Sequence, residues 1–176
     1  MKIDITDDFL DQKDLENIQN LLLGPDFPWF FNNSINNPVA LLGEDNSEQD
    51  ISDFQFVHTF YLPKNGYQTV HSNFFNCLLP ILDKLQIKVL YRIKANLLTP
   101  TSTHRTSGYH TDMPDILGST TGIFYVNSNN GLTSFDNNEK VKSIANRMVT
   151  FPSQMLHSGV SCTNRKHRVV INFNYF

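Results

Sequence analysis

The sequence predicts a mainly β chain with helices gathered near its N-terminus and strands rolled into a sandwich or barrel. Three observations carry that reading. Fourteen phenylalanines and six tyrosines stand against a charged fraction of only 18%, a balance suited to pleated, half-buried surfaces. Helical spacing of apolar residues is confined to two early segments, whereas period-two alternation governs the second half. The 176 residues, 40% of them hydrophobic, supply one core, and no repeat, low-complexity tract or linker divides them. One domain over residues 1–176 is expected, with helical and extended support over 1–87 and the β core over 88–176.

The elements follow in order. Leu15, Ile18, Leu21 and Leu22 share one face of a helix over 14–23, with Gly24 placed to end it in the left-handed conformation. Pro25 to Trp29 breaks to extended chain, and Trp29, the only tryptophan, reads as a packing anchor. Residues 43–53 are polar and read as a loop. Phe54, Phe56, His58, Phe60 and Leu62 alternate along a strand over 54–62. A second helix spans 72–85, with Phe75, Leu78, Leu79 and Leu82 inward and Pro80 kinking it. Residues 88–97 set Val89, Tyr91, Ile93, Ala95 and Leu97 against Leu90, Arg92, Lys94 and Asn96, a strand with one apolar and one polar face. Residues 121–127 form a strand, and Ser128-Asn129-Asn130-Gly131 suits a type I′ turn returning antiparallel through 132–135. Short strands over 141–144 and 147–151, and a last one over 169–176, bring the expected number to seven.

Bulk properties exclude some classes of function. A net charge of −3, a pI near 6.0 and the lack of any Lys/Arg block argue against a nucleic-acid grip. The acidic opening Met1 to Asp8 does not resemble a signal peptide, and no apolar stretch approaches the ~18 residues a membrane span needs. Cys77 and Cys162 lack CxxC spacing and read as reduced thiols, so a cytoplasmic protein without a membrane partner is expected.

The chemistry-bearing candidates lie in the β half. His110-Thr111-Asp112 places an imidazole and a carboxylate on the same face of an extended segment, as one metal ion requires. Alone the pair means little, because six histidines and an Asp frequency of about 7% predict roughly 0.4 such pairs by chance. A turn histidine beside a capping aspartate satisfies the same spacing. His157 falls in a polar break between two strands, where a ligand at a loop rim or an ordinary exposed histidine both fit. Arg168, Val170, Asn172 and Asn174 share one face of the closing strand, opposite Val169, Ile171, Phe173 and Tyr175. Turned inward, Arg168 and Asn172 are costly unless something anionic and polar meets them; turned outward, they are a solvated face.

Taken in order, these segments resemble the 2-oxoglutarate- and Fe(II)-dependent dioxygenases, most nearly the prolyl-4-hydroxylase-like branch with its small microbial and phage-encoded members. The residues that carry the resemblance are His110-Thr-Asp112, Thr121 to Asn127, Thr133-Ser134-Phe135, Asn146 to Phe151, His157 and Arg168-Val-Val-Ile-Asn-Phe. It covers 88–176 firmly and the first half loosely. It implies a double-stranded β-helix (jelly-roll) core and Fe(II) on His110, Asp112 and His157. It also implies 2-oxoglutarate on Arg168 and Tyr125, with Asn96 and Asn172 as further contacts, O2 as oxidant, and ascorbate as a further cofactor. The activity implied is hydroxylation of a peptidyl or small-molecule substrate, a peptidyl proline included, coupled to decarboxylation of 2-oxoglutarate. The chain departs from the branch where its tyrosine before His-x-Asp is expected: Arg92-Ile93-Lys94-Ala95-Asn96 stands there, so Asn96 or Lys94 replaces that contact. A longer Thr-rich connector follows over 99–108, and Leu132 stands for the usual second glycine. Arg165 is a rival for the anion role and is expected in an exposed turn. Segments 29–31, 43–53 and 99–108 are expected to form the substrate mouth.

Two other readings use the same residues. A zinc hydrolase on His110, Asp112 and His157 needs a general base, and no Glu lies within ten residues of either histidine. A non-catalytic jelly-roll binding module needs neither metal nor co-substrate.

Overall fold

The structure is a computed structural model that describes residues 2–35, 54–64 and 67–176. The segment 43–53 lies outside the described residues. Among these residues are eleven strands, two α-helices and one 3-10 turn. The strands are β1 (Asp4–Thr6), β2 (Phe30–Asn32), β3 (Gln55–Lys64), β4 (Tyr67–Val70), β5 (Leu90–Leu98), β6 (Thr120–Tyr125), β7 (Leu132–Phe135), β8 (Lys140–Lys142), β9 (Arg147–Pro152), β10 (His157–Val160) and β11 (Arg168–Tyr175). Helix α1 (Gln12–Leu22) precedes β2, and α2 (Leu79–Leu85) precedes β5.

Two antiparallel sheets result. The large one runs β1-β9-β6-β11-β5-β3-β2, with β4 beside β3, and the small one runs β10-β7-β8. This is the expected mainly β architecture, a double-stranded β-helix with helices outside it. One core lies between the helices and the large sheet, where Leu15, Ile18, Leu22 and Ile81 meet Ile93, Phe124, Ile171 and Phe173. A second lies between the sheets, where Ile123 and Val170 meet Phe135, Val141 and Phe151. The large sheet is therefore covered on both faces. Alternation along β5 and β11 sends Ile93, Ala95, Val169, Ile171 and Phe173 to the helices. It sends Arg92, Lys94, Asn96, Arg168 and Asn172 to the interior between the sheets, and that choice makes the site.

Several local expectations are corrected. Helix α1 begins at Gln12, because Asp11 caps it by accepting the amide of Asp14 at 2.9 Å. Gly24 is not left-handed; its lack of a side chain matters because a Cβ there would stand 2.5 Å from the carbonyl oxygen of Asn20. Pro80 does not kink a long helix: residues Phe75–Leu78 form a 3-10 turn, and Pro80 sits in the first turn of α2, where its missing amide costs nothing. Leu78 and Ile81 are the buried residues there, whereas Leu79 is 44% exposed.

The segment 128–131 is not a type I′ hairpin. None of its residues has positive φ, and β7 pairs with β8 and β10 rather than with β6. The chain there leaves the large sheet for the small one, held by Asn129 Oδ1 accepting the Gly131 amide at 2.9 Å. Gly131 is required by crowding, since a Cβ would meet the Val160 carbonyl oxygen at 2.7 Å and Arg168 Cδ at 2.8 Å. His157 likewise lies in no break, because it opens β10 opposite Phe135.

Candidate metal and anion site

His110, Asp112 and His157 converge although two of them come from an irregular segment. His110 and His157 form an isolated antiparallel bridge, each amide donating to the other's carbonyl at 3.0 Å, and this two-residue clasp sets the rings 4.5 Å apart. One candidate ligand atom from each of the three residues lies within 4.8 Å of the others. Nδ1 of His157 lies 3.1 Å from the carbonyl oxygen of Met155, which can only accept. That contact places the proton on Nδ1 and leaves the Nε2 lone pair free for a metal. Burial, with His157 beside it, lowers the His110 pKa, so the ring stays neutral at pH 7.

Asp112 is held from both sides. Oδ1 accepts from Arg92 at 2.9 Å, and Oδ2 accepts from Thr121 at 2.8 Å and Asn174 at 3.2 Å. Arg92 also donates to Asn174 Oδ1 at 2.8 Å, so the donors are themselves fixed. Burial works against the charged carboxylate, but Arg92, His157 and Thr121 outweigh it and hold the pKa at about 2. The group is an anion throughout the physiological range. Two imidazoles and one carboxylate form the donor set of a 2-His-1-carboxylate face, which leaves the opposite positions open.

Arg168 lies elsewhere on the same cavity, which has a volume of about 960 Å³. It is 3% exposed and donates to Ser143 Oγ at 3.0 Å and to the Leu132 carbonyl and Thr133 Oγ1 at 3.3 Å. Among the described residues no carboxylate answers its charge. Burial lowers its pKa but a guanidinium remains protonated. A buried, unanswered guanidinium is costly to the fold unless an anion comes to it.

Tyr125 does not line the cavity. It is fully buried, donates to Thr133 Oγ1 at 2.7 Å and packs 5.7 Å from the Arg168 guanidinium carbon. Thr133, which does line the cavity, accepts from both Tyr125 and Arg168, so its own proton is left to donate outward. Asn96 and Asn172 are on the wall, and the Oδ1 of each is buried without a partner. Arg165 is exposed, as expected for a turn residue. Trp29 packs edge-on to Phe27 and its indole donates to Leu22 at 3.3 Å, so it belongs to the core. Of the expected mouth, Ser107 and Gly108 line the cavity and Phe30 and Phe31 do not; Asn32 and Ile35 stand in their place.

No family model matches the sequence, and a search of curated proteins finds no match. Solved structures do match. A viral collagen prolyl hydroxylase from Paramecium bursaria Chlorella virus-1, in complex with 2-oxoglutarate, aligns over 99% of this chain and 95% of its own at 12% identity and a TM-score of 0.62. An oxidoreductase of the 2OG-Fe(II) oxygenase family from Burkholderia pseudomallei aligns over 98% and 84% at 10% identity and a TM-score of 0.66. A prolyl hydroxylase from Trichoplax adhaerens, bound to a peptide fragment of hypoxia inducible factor, aligns over 99% and 83% at 15% identity and a TM-score of 0.58. The chain has the 2OG-Fe(II) oxygenase fold. In this chain the cavity between the two sheets brings together the three converging candidate ligands and the buried arginine.

The functional side chains that the sequence reading passed over are Arg92, Thr121 and Asn174, which hold Asp112 in place. A signal for two of them existed. Arg92 shares the polar face of the 88–97 alternation, and Asn174 shares a face with Arg168.

Proposed function

We propose that the protein is a 2-oxoglutarate- and Fe(II)-dependent dioxygenase, with iron on His110, Asp112 and His157 and the co-substrate's distal carboxylate on Arg168. One observation carries the reading: a two-imidazole, one-carboxylate set and a buried guanidinium that no carboxylate among the described residues answers open onto one cavity. A metal-binding site alone asks for no such arginine, and an arginine alone asks for no such triad. The donor set suits Fe(II), and a dicarboxylate answers the arginine.

When bound, iron with 2-oxoglutarate supplies O2 activation, yielding succinate, CO2 and one oxygen atom for a substrate C–H bond. This chain's own contribution is placement. The guanidinium of Arg168, already braced by Ser143, Leu132 and Thr133, presents its remaining N–H groups to a carboxylate, and Thr133 adds its hydroxyl proton. Lysine there would lose the fork geometry. Arg92, Thr121 and Asn174 fix the Asp112 carboxylate, so the ligand face does not reorganise when metal enters. Ile123, Leu98 and Val170 give the cavity apolar wall that excludes water around the reacting groups.

Two of the three structural neighbours above are named as prolyl hydroxylases, which makes a peptidyl proline the first macromolecular substrate to try. The zinc-hydrolase alternative lacks its base, because Asp112 is the sole carboxylate on the cavity wall among the described residues. The test is succinate formation from 2-oxoglutarate by anaerobically iron-loaded protein on admitting O2. Turnover should fall at least about 100-fold in His110→Ala and Asp112→Ala. Metal affinity in His157→Ala equal to wild type would sink the triad.

A further inference from the structure

The cavity wall carries Arg92, Lys94 and Arg168 against the single carboxylate of Asp112, within a chain whose net charge is −3. Arg92 is committed to Asp112 at 2.9 Å. Arg168 is the co-substrate's in the reading above. A divalent metal and a dicarboxylate cancel each other, so filling that site leaves the surplus of positive charge unchanged. Lys94 then feels the Asp112 carboxylate only at a distance, and no hydrogen bond or ion pair reaches it among the described residues.

Its surroundings are specific. Lys94 pairs across the ladder with Asn172, and Asn96 is the next inward residue on the same strand. The Oδ1 atoms of both asparagines are buried and lack a donor. A lysine supplies donors only, and an amide oxygen accepts only. The wall therefore joins a cation to two acceptors. 2-Oxoglutarate has carboxylates for the first but no N–H for the second. Burial and the nearby Arg92, opposed in part by Asp112, draw the Lys94 pKa down to about 8, so the ammonium still carries its charge at pH 7.

We infer that Lys94, Asn96 and Asn172 form a second subsite of this cavity, which takes an amino-acid-like substrate, its carboxylate on Lys94 and its N–H on the asparagine carbonyls. Calling that ligand a substrate rests on the dioxygenase reading; the subsite itself does not. The substrate so recognised is a small zwitterion rather than an interior residue of a polypeptide, whose carboxylate and amine are both consumed in peptide bonds.

The probes are L-alanine, propionate and propionamide, titrated into protein carrying 13C-labelled lysine, with the Lys94 resonance identified by its loss in Lys94→Met. The titrations are run on metal-free protein and on protein saturated with Mn(II) and 2-oxoglutarate. L-Alanine should bind tightest, propionate more weakly and propionamide not measurably. Lys94→Met should weaken L-alanine by about tenfold or more and Lys94→Arg should restore most of it, as expected for a charged hydrogen bond. In the same variants 2-oxoglutarate affinity should stay within about threefold of wild type, against a much larger loss in Arg168→Met. Equal binding of propionate and propionamide, or of propionate and L-alanine, overturns the assignment. So does a Lys94→Met loss of 2-oxoglutarate as large as that of Arg168→Met, which would give Lys94 to the co-substrate. Failure of wild type to bind 2-oxoglutarate counts against the dioxygenase reading alone, because the metal-free L-alanine series still decides the role of Lys94.

Discussion

The two faces of β5 and β11 are built from alternate residues of the same strands, yet they follow opposite rules. On the face toward the helices, Ile93, Ala95, Val169, Ile171 and Phe173 are closed, apolar and fully buried. On the face toward the small sheet, Arg92, Lys94, Asn96, Arg168 and Asn172 surround a cavity, with one guanidinium lacking a carboxylate and two amide oxygens lacking donors. The first face maximises stability. The second surrenders some of it to keep polar groups ready for a ligand, as sites that bind charged molecules do. The comparison can be tested because the two kinds of residue stand one position apart.

The largest expected effect is on the helix face. Phe173→Ala should destabilise the protein by about 3–5 kcal/mol through lost burial and a residual cavity, as measured by urea unfolding. Metal and 2-oxoglutarate affinities of the remaining folded protein should change little. Next comes Arg168→Met on the other face. Stability should move by less than about 1 kcal/mol in either direction, because a buried charge with no counter-ion is exchanged for an apolar side chain of similar length. Affinity for 2-oxoglutarate should fall about 100-fold by calorimetry on Mn(II)-loaded protein, the worth of a forked carboxylate contact. A large loss of stability in Arg168→Met would mean that the arginine serves the fold, and the contrast between faces would fail there.

A third effect is set by acid. The Asp112 pKa is held at about 2, below the ordinary 3.8, by Arg92, His157 and Thr121 against burial. A depressed carboxylate stabilises the fold fully above its unfolded value, and the contribution drains away as pH falls through the folded value. For metal-free protein that contribution is roughly 2 kcal/mol. Wild type should therefore exceed Asp112→Asn in unfolding free energy at pH 5 and converge on it as pH approaches 2. A gap that stays constant over that range would show that the Arg92 pair does not control the carboxylate.

How much of this was legible in the sequence divides along the same line. Alternation separated the two faces of β5 and β11 except at Leu90, which packs with the helix-side core, and the i, i+2 spacing agrees with the close approach of His110 and Asp112. What alternation could not say is which face meets solvent, since a sheet covered on both sides leaves neither exposed. Arg168 and Asn172 pointing inward became certain only with the small sheet in place. The four unforeseen strands fail for local reasons. His157-Ser158-Gly159-Val160 has weak strand propensity and exists because β7 and His110 supply its partners. The short strands β1, β2 and β4 each follow one neighbour at the rim. The crossing at 128–131 looked like a hairpin because Asn-Asn-Gly also suits an Asx turn, made here by Asn129, ending on a crowded glycine.

The smallest expected effect is also the most direct probe of the polar face. Asn96 is 7% exposed, lies opposite Val170, and its Oδ1 has no donor. Replacing it with leucine, of similar size, removes a buried unsatisfied acceptor and adds apolar contact with Val170, so Asn96→Leu should stabilise by about 1 kcal/mol. For a chain of this length that is a rise of about 2–4 °C in Tm by calorimetry of ligand-free protein. The same change at Ala95, one residue along and facing the helices, should do the reverse, because that side is already packed and the larger side chain must displace neighbours. Opposite signs from the same introduced residue at adjacent positions would confirm that the strand separates a face built for stability from one built for a ligand. Equal signs would mean that the cavity wall is ordinary core, and its polar residues would then need another explanation.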